Sequence, residues 1–132
     1  MSESESFTGV ERTYYDESGA LLSEVFILNG KKNGIYKSYY PNGQLYVECN
    51  YIDGKKNGIY VSYREWGQLS TECNYVDGKK NGSYKSYYES GQLMEYCNYI
   101  DGGQNGICKT YYSNGQLLYE YNYIDDVMQQ KN

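Results

Sequence analysis

The sequence predicts an all-β chain of tandem 24-residue antiparallel β-hairpin repeats forming one elongated twisted sheet. Three observations predict it. Tyrosine supplies 20 of the 132 residues and glycine 15, against a single proline. Tyrosine suits pleated surfaces that bury the ring and leave the hydroxyl wet, so this composition calls for many short strands and tight turns. Sliding the sequence by 24 residues aligns it with itself, and turn dipeptides recur twice in each aligned unit.

In that alignment Gly34–Tyr40 lies over Gly58–Arg64, Gly82–Tyr88 and Gly106–Tyr112, with a degraded fifth copy at Val10–Asn33. Three positions are constant in all five copies. They are a glycine (Gly19, Gly43, Gly67, Gly91, Gly115), a leucine (Leu21, Leu45, Leu69, Leu93, Leu117) and a tyrosine (Tyr15, Tyr39, Tyr63, Tyr87, Tyr111). Agreement within one chain reports what each structural unit requires. The organisation expected is a flexible acidic N-terminus over 1–9, a degenerate capping repeat over 10–33, four repeats over 34–124, and a C-terminal cap or tail over 125–132. That tail could be a last strand, a short helix or disordered.

The first turn of each unit is Asn42-Gly43 or its counterparts Ser18-Gly19, Trp66-Gly67, Ser90-Gly91 and Asn114-Gly115. The second is Asp53-Gly54, with Asn29-Gly30, Asp77-Gly78 and Asp101-Gly102. Asn-Gly and Asp-Gly between alternating runs suit a type I′ hairpin turn, where both residues take positive φ. Two such turns per unit give roughly ten strands of about ten residues. The strand after Gly54 is the longer one and contains Asn57-Gly58. Gly58, with Gly34, Gly82 and Gly106, is expected to form a bulge that absorbs the extra length. Period-two alternation places Leu45, Val47, Cys49 and Tyr51 on an apolar face, with Tyr46, Glu48 and Asn50 on a polar one. No helix in the sequence would cover the apolar face, so the sheet must cover itself by twisting.

These residues resemble the MORN repeats, in their variant, antitoxin-like class: Gly34, Tyr36, Tyr39, Tyr40, Asn42, Gly43, Leu45, Tyr51, Asp53, Gly54, Lys55 and Gly58 fall in register. The resemblance covers Gly34–Asp125 well and Val10–Asn33 weakly. It implies an extended run of hairpins with an aromatic-lined groove. It also implies a role in protein scaffolding or dimerisation, sometimes membrane-lipid contact, and in one bacterial subgroup antitoxin activity. Related units often carry His where this chain has Asn57, Asn81 and Asn105.

Other features narrow the function. Lys plus Arg number 12 and Asp plus Glu 17, a formal net charge of -5, which argues against nucleic acid as partner. Histidine is absent, removing the commonest general base and metal ligand. No signal peptide or membrane-spanning stretch is legible, so an intracellular, cytoplasmic address is expected. Cys49, Cys73 and Cys97 recur about 10 Å apart, beyond the roughly 7 Å reach of a disulfide, and read as small core residues. A Cys97–Cys108 bond needs favourable register and is disfavoured inside a cell. Glu24, Glu48, Glu72 and Glu120 recur with the repeat and lack a nucleophile or base beside them. Neither a catalytic residue, a metal ligand nor a cofactor site is expected.

The candidate contacts are aromatic and basic. Tyr36, Tyr39, Tyr60, Tyr63, Tyr84 and Tyr87 are core or groove residues whose rings can also anchor a partner. Trp66, at a turn tip, is the exposed-looking aromatic. The pairs Lys31-Lys32, Lys55-Lys56 and Lys79-Lys80 form a ladder that stops at Gly103-Gln104; it could hold anionic lipid or an acidic protein, with Lys55, Lys56, Lys79 and Lys80 as the candidate contacts, or simply keep the sheet edge soluble. The function expected is a non-enzymatic protein-interaction or scaffolding module, with homodimerisation as one form. Peripheral membrane binding and antitoxin-like neutralisation of a partner protein are the alternatives.

Overall fold

Hairpin after hairpin, the chain lays down a single open antiparallel sheet. The structure, a computed structural model, describes residues 7–129. Its thirteen strands among those residues are β1 (Gly9–Tyr14), β2 (Leu21–Leu28), β3 (Lys31–Tyr39), β4 (Leu45–Ile52), β5 (Lys55–Lys56), β6 (Gly58–Tyr63), β7 (Leu69–Val76), β8 (Lys79–Tyr87), β9 (Leu93–Ile100), β10 (Gly103–Gln104), β11 (Gly106–Tyr111), β12 (Leu117–Ile124) and β13 (Val127–Gln129). They neighbour one another in chain order, with β5 and β10 pairing on β4 and β9. The all-β hairpin array read from the sequence is the observed fold. The strand number exceeds ten partly because the bulges split two long strands. No helix among the described residues is long and apolar enough to cross a membrane.

The Asp-Gly turns are type I′, as expected. Asp53 has φ 54° and Gly54 φ 85°, and Ile52 pairs Lys55 directly across the two-residue loop. The Asn-Gly turns are a different structure. Gly43 N–H donates to Tyr40 O at 2.9 Å and Tyr40 N–H to Gln44 O at 2.8 Å, and only Gly43 has positive φ. This is a type I turn closed by a glycine bulge, which needs one left-handed residue rather than two. The residue before the glycine is then unconstrained, which is why Asn42, Trp66 and Ser90 are interchangeable there.

The bulge glycines are where the sequence placed them. Gly58 has φ 108°, between β5 and β6, and the register steps by two there: Tyr51 faces Lys56, while Val47 faces Ser62. A two-residue step preserves the alternation of faces. Asn50 closes the gap: its Nδ2 donates to Asn57 O at 3.1 Å, and its carbonyl accepts Asn57 N–H at 2.8 Å. Asn57 Oδ1 in turn accepts the N–H of Asp77 in the next unit's turn at 3.0 Å, and Asn33 and Asn105 repeat that bond. Asn57 and Asn105, two of the asparagines at the histidine position, thus tie successive turns together.

Two sequence alignments shift by one residue. Sliding by 24 puts Tyr15 over Tyr39, but the first loop is one residue longer. Tyr14 pairs Leu21 as Tyr39 pairs Leu45, and Gly9 pairs Ile27 as Gly34 pairs Tyr51. The first strand therefore begins at Gly9. Phe7 and Thr8 also bind the next turn, Phe7 O accepting from Gly30 N–H and Thr8 Oγ1 from Asn29 N–H. The rest of the expected flexible terminus, 1–6, lies outside the described residues, as does 130–132 of the tail. The described part of the tail is strand β13, paired with β12.

The core is a single row on one face. Val25, Ile27, Val47, Cys49, Cys73, Cys97 and Cys108 are buried, with Ser23, Ser38, Ser62 and Ser86 among them. Small side chains suit this row because tyrosines of the same face flank it. Tyr46 joins that face: its ring lies 4.6 Å from that of Tyr40 and borders one cleft with Val47 and Cys49. Strict alternation put it on the other side, but the register shift between Ser38 and Tyr39 breaks the alternation there. The opposite face is not uniformly polar either. Ile35, Ile52, Ile59, Ile100 and Ile124 are exposed there beside its glutamates and asparagines.

Candidate functional site

Three successive units build the same three-residue cluster on the tyrosine face. The lysine two residues before the bulge glycine faces that side because Lys56 pairs Tyr51 and Lys80 pairs Tyr75. Nζ of Lys32 lies 5.0 Å from the Tyr36 ring centre and 5.1 Å from that of Tyr51. Lys56 sits 4.9 Å from Tyr60 and 5.1 Å from Tyr75, and Lys80 4.5 Å from Tyr84 and 5.1 Å from Tyr99. The two rings of each cluster meet edge to face, at 5.9 Å in the first two and 6.1 Å in the third. Ring faces attract the ammonium and fix its position, each contact contributing roughly 0.5–1 kcal/mol at a wet site.

The row is electrostatically distinctive. Among the described residues no carboxylate oxygen comes within ion-pair distance of Lys32, Lys56 or Lys80, whose charges are met by rings alone. The recurring glutamates are on the other face, where Glu24, Glu48 and Glu72 stand opposite Lys37 and Lys85 and Glu120 lies 3.9 Å from Lys109. Glu95, outside that repeat position, pairs Ser86 and Thr110 on the tyrosine face, and its charge acts on Tyr84 and Tyr99, the two rings around Lys80. The most positive stretch is therefore Lys32 to Lys56. These two, with Tyr36, Tyr46, Tyr51 and Tyr60, border an open cleft of about 300 Å³.

Burial pushes Tyr60 upward from 10.0 to about 12, and raises Tyr51, Tyr75, Tyr84 and Tyr99 for the same first cause. Burial likewise raises the Cys49 and Cys73 thiols. The sign follows from linkage. Above pH 10 the unfolded chain releases tyrosine protons that the fold retains, so unfolding is favoured. Stability should be fully present below about pH 10 and fall as pH rises through about 12. Urea unfolding at pH 8, 9, 10 and 11 checks this, and an unchanged midpoint through pH 11 would contradict the burial described.

The structure divides the lysine ladder read from the sequence. Lys56 and Lys80 are on the tyrosine face, and Lys55 and Lys79 on the other side. Lys55 pairs Ile52 across the turn, its stem lies against Gly78, and its Nζ is 4.0 Å from Asp77. Lys31 meets Asp53 in the same way at 3.8 Å. Of the expected tyrosines, Tyr36, Tyr60 and Tyr84 belong to clusters. Tyr39, Tyr63 and Tyr87 lie outside them, at strand ends, where their carbonyls accept from Tyr15 Oη, Tyr40 Oη and Arg64 Nη2 of the preceding unit. Trp66 is 61 % exposed in the turn just after Tyr63, away from the lysine clusters, with the Arg64 guanidinium 6.0 Å from its ring. Lys32, of the first lysine pair, and Tyr51, a core or groove residue by the sequence, also belong, while Tyr46, Tyr75 and Tyr99 are members that the sequence does not single out as contacts. Cross-strand pairing was the signal that held them: once Asp53-Gly54 is a two-residue turn, Tyr51 must face Lys56.

The fourth unit breaks the pattern. Gln104 stands where the others have the cluster lysine, and Cys108 where they have Tyr36, Tyr60 and Tyr84. Lys109 pairs Tyr96, so Cys108 falls opposite Cys97, and the two form a disulfide with a Cα–Cα distance of 4.1 Å. The register that bond required is present, although an intracellular setting counted against it. Gln104 Nε2 lies 3.4 Å from Cys97 Sγ. Cys49 and Cys73 remain free and buried.

The MORN repeat variant family matches residues 32–53, 80–101 and 104–125, together half of the chain. No curated protein matches. A solved structure described as the crystal structure of TarM is similar at 12 % identity and a TM-score of 0.44, over 90 % of this chain. The chain spans about a fifth of that structure's length, 21 %. The matched segments begin at Lys32, Lys80 and Gln104, run through a type I turn with its glycine bulge and stop at the first residue of the next type I′ turn, so they span the strands that carry the lysine–tyrosine face, and this chain belongs to the MORN repeat variant family.

Proposed function

We propose that this chain is a non-enzymatic protein-interaction module that holds an acidic segment of a partner protein across its tyrosine face. One observation carries the reading: three ammonium groups are held in line between tyrosine rings, with no carboxylate of the described residues within ion-pair distance of them. Aromatic rings beside a cation supply the anchoring contacts that dominate interfaces, and the charge selects an acidic partner. The partner-binding residues are then Lys32, Lys56 and Lys80 with Tyr36, Tyr51, Tyr60, Tyr75, Tyr84 and Tyr99.

The test uses Gln104 as its guide, since the fold already accepts glutamine at the cluster position. In one variant Lys32, Lys56 and Lys80 become Gln; in the other, Lys31, Lys55 and Lys79. Both lose the same charge. Binding of fluorescent polyglutamate should weaken at least about tenfold in the first and little in the second, because only contacts at close range survive screening at moderate salt. Equal losses would sink the reading. Stronger loss in the second variant, on vesicles containing phosphatidylserine, would favour the membrane alternative. A second reading, homodimerisation, draws on the exposed Ile35, Ile52, Ile59, Ile100 and Ile124, and sedimentation of the full chain decides it.

A further inference from the structure

Resting on that reading, we infer that the bound segment is a polyproline II stretch carrying an acidic side chain at every third residue. The argument is one of matched periods. The cluster lysines lie two strands apart, on β3, β5 and β8, and strands are spaced about 4.8 Å, so the charges repeat roughly every 9.6 Å. A polyproline II helix has three residues per turn and rises about 3.1 Å per residue, so every third side chain returns to one side after about 9.3 Å. A β-strand presents same-side residues at about 6.7 or 13.4 Å, missing the period in both directions. An α-helix comes nearer, with positions seven apart separated by about 10.5 Å, but it slips by roughly 2 Å over three lysines.

The lining agrees with the period. Proline-rich segments dock on aromatic faces, where flat rings accept the pyrrolidines and the stiff ligand loses little entropy. Here the edge-to-face tyrosine pairs recur between the lysines at the same interval. A polyproline II chain has no internal hydrogen bonds and can follow the sheet's twist. The strongest anchor falls on Lys32 and Lys56, where the open cleft lies, and a weaker third on Lys80, whose rings Tyr84 and Tyr99 share the face with the Glu95 carboxylate. The fourth unit, with Gln104 and the disulfide in place of lysine and tyrosine, ends the row.

Four synthetic peptides of equal charge test it against the full chain. They are Glu-Pro-Pro repeated four times, Glu-Gly-Gly repeated four times, a peptide of the same Glu and Pro content with its four glutamates adjacent, and an alanine-based helical peptide with glutamate at every seventh residue. The first should bind about tenfold or more tighter than each of the others, the gain coming from preorganisation and phase. Its affinity should fall to that of the clustered peptide when Lys56 becomes Gln. Equal binding of all four, or preference for the helical peptide, overturns the polyproline II assignment and leaves the acidic-partner reading standing. That reading fails separately, if polyglutamate binding does not distinguish the two triple-lysine variants.

Discussion

Reducing the Cys97–Cys108 bond should lower the free energy of unfolding by about 2–3 kcal/mol, the loop-closure value for a bridge spanning so short a segment. The two residues are 11 apart in sequence and join β9 to β11, the strands that link the third unit to the fourth. Urea unfolding with and without reductant reads the effect, and a thiol count under denaturing conditions reads its cause. Two thiols should react in the oxidised chain, Cys49 and Cys73, and four after reduction. Four thiols in air-oxidised protein would show that the pair stays open. Replacing Cys108 by Tyr restores the residue of the other units and removes the bond, so it should reproduce the effect of reductant and abolish any further response to it. The same count on protein alkylated in the cell reports the redox state of the compartment where the chain resides.

Replacing Gly58 by Val should cost about 2–3 kcal/mol, and by Ala somewhat less. At φ 108° an L-residue is strained wherever the surrounding space permits it. Space is not the obstacle, since the nearest atom to an added Cβ is Asn50 Cβ at 3.8 Å. The whole cost is conformational. It falls on the bulge that turns Lys56 toward Tyr60 and Tyr75, so polyglutamate binding should drop along with the urea midpoint. A midpoint shift worth under about 0.5 kcal/mol, the range of an ordinary surface change, would contradict the bulge geometry.

Much of the architecture was legible in advance because hairpin signals are local. Asp53-Gly54 announces its own turn, and the glycine at 58 announces its bulge. Where a reading needed the neighbouring strand, the sequence was less forthcoming. Asn42-Gly43 suits a type I′ turn by residue type and equally the type I turn with a glycine bulge that it forms. Hydrogen bonds from Gly43 to Tyr40 and from Tyr40 to Gln44 decide between them. Tyr46 was placed on the wrong face because one register shift defeats alternation. The lysine pairs were read as one ladder, although neighbouring residues of a strand point to opposite sides.

By itself, the sequence determined the 24-residue unit, its two turns, its bulge and the absence of a histidine-based site, since each depends on residue type and local spacing. Only the tertiary structure decided which lysine of each pair meets the tyrosines, and that Cys108 stands opposite Cys97. Those outcomes depend on cross-strand register, which is set by how far each bulge offsets one strand against the next.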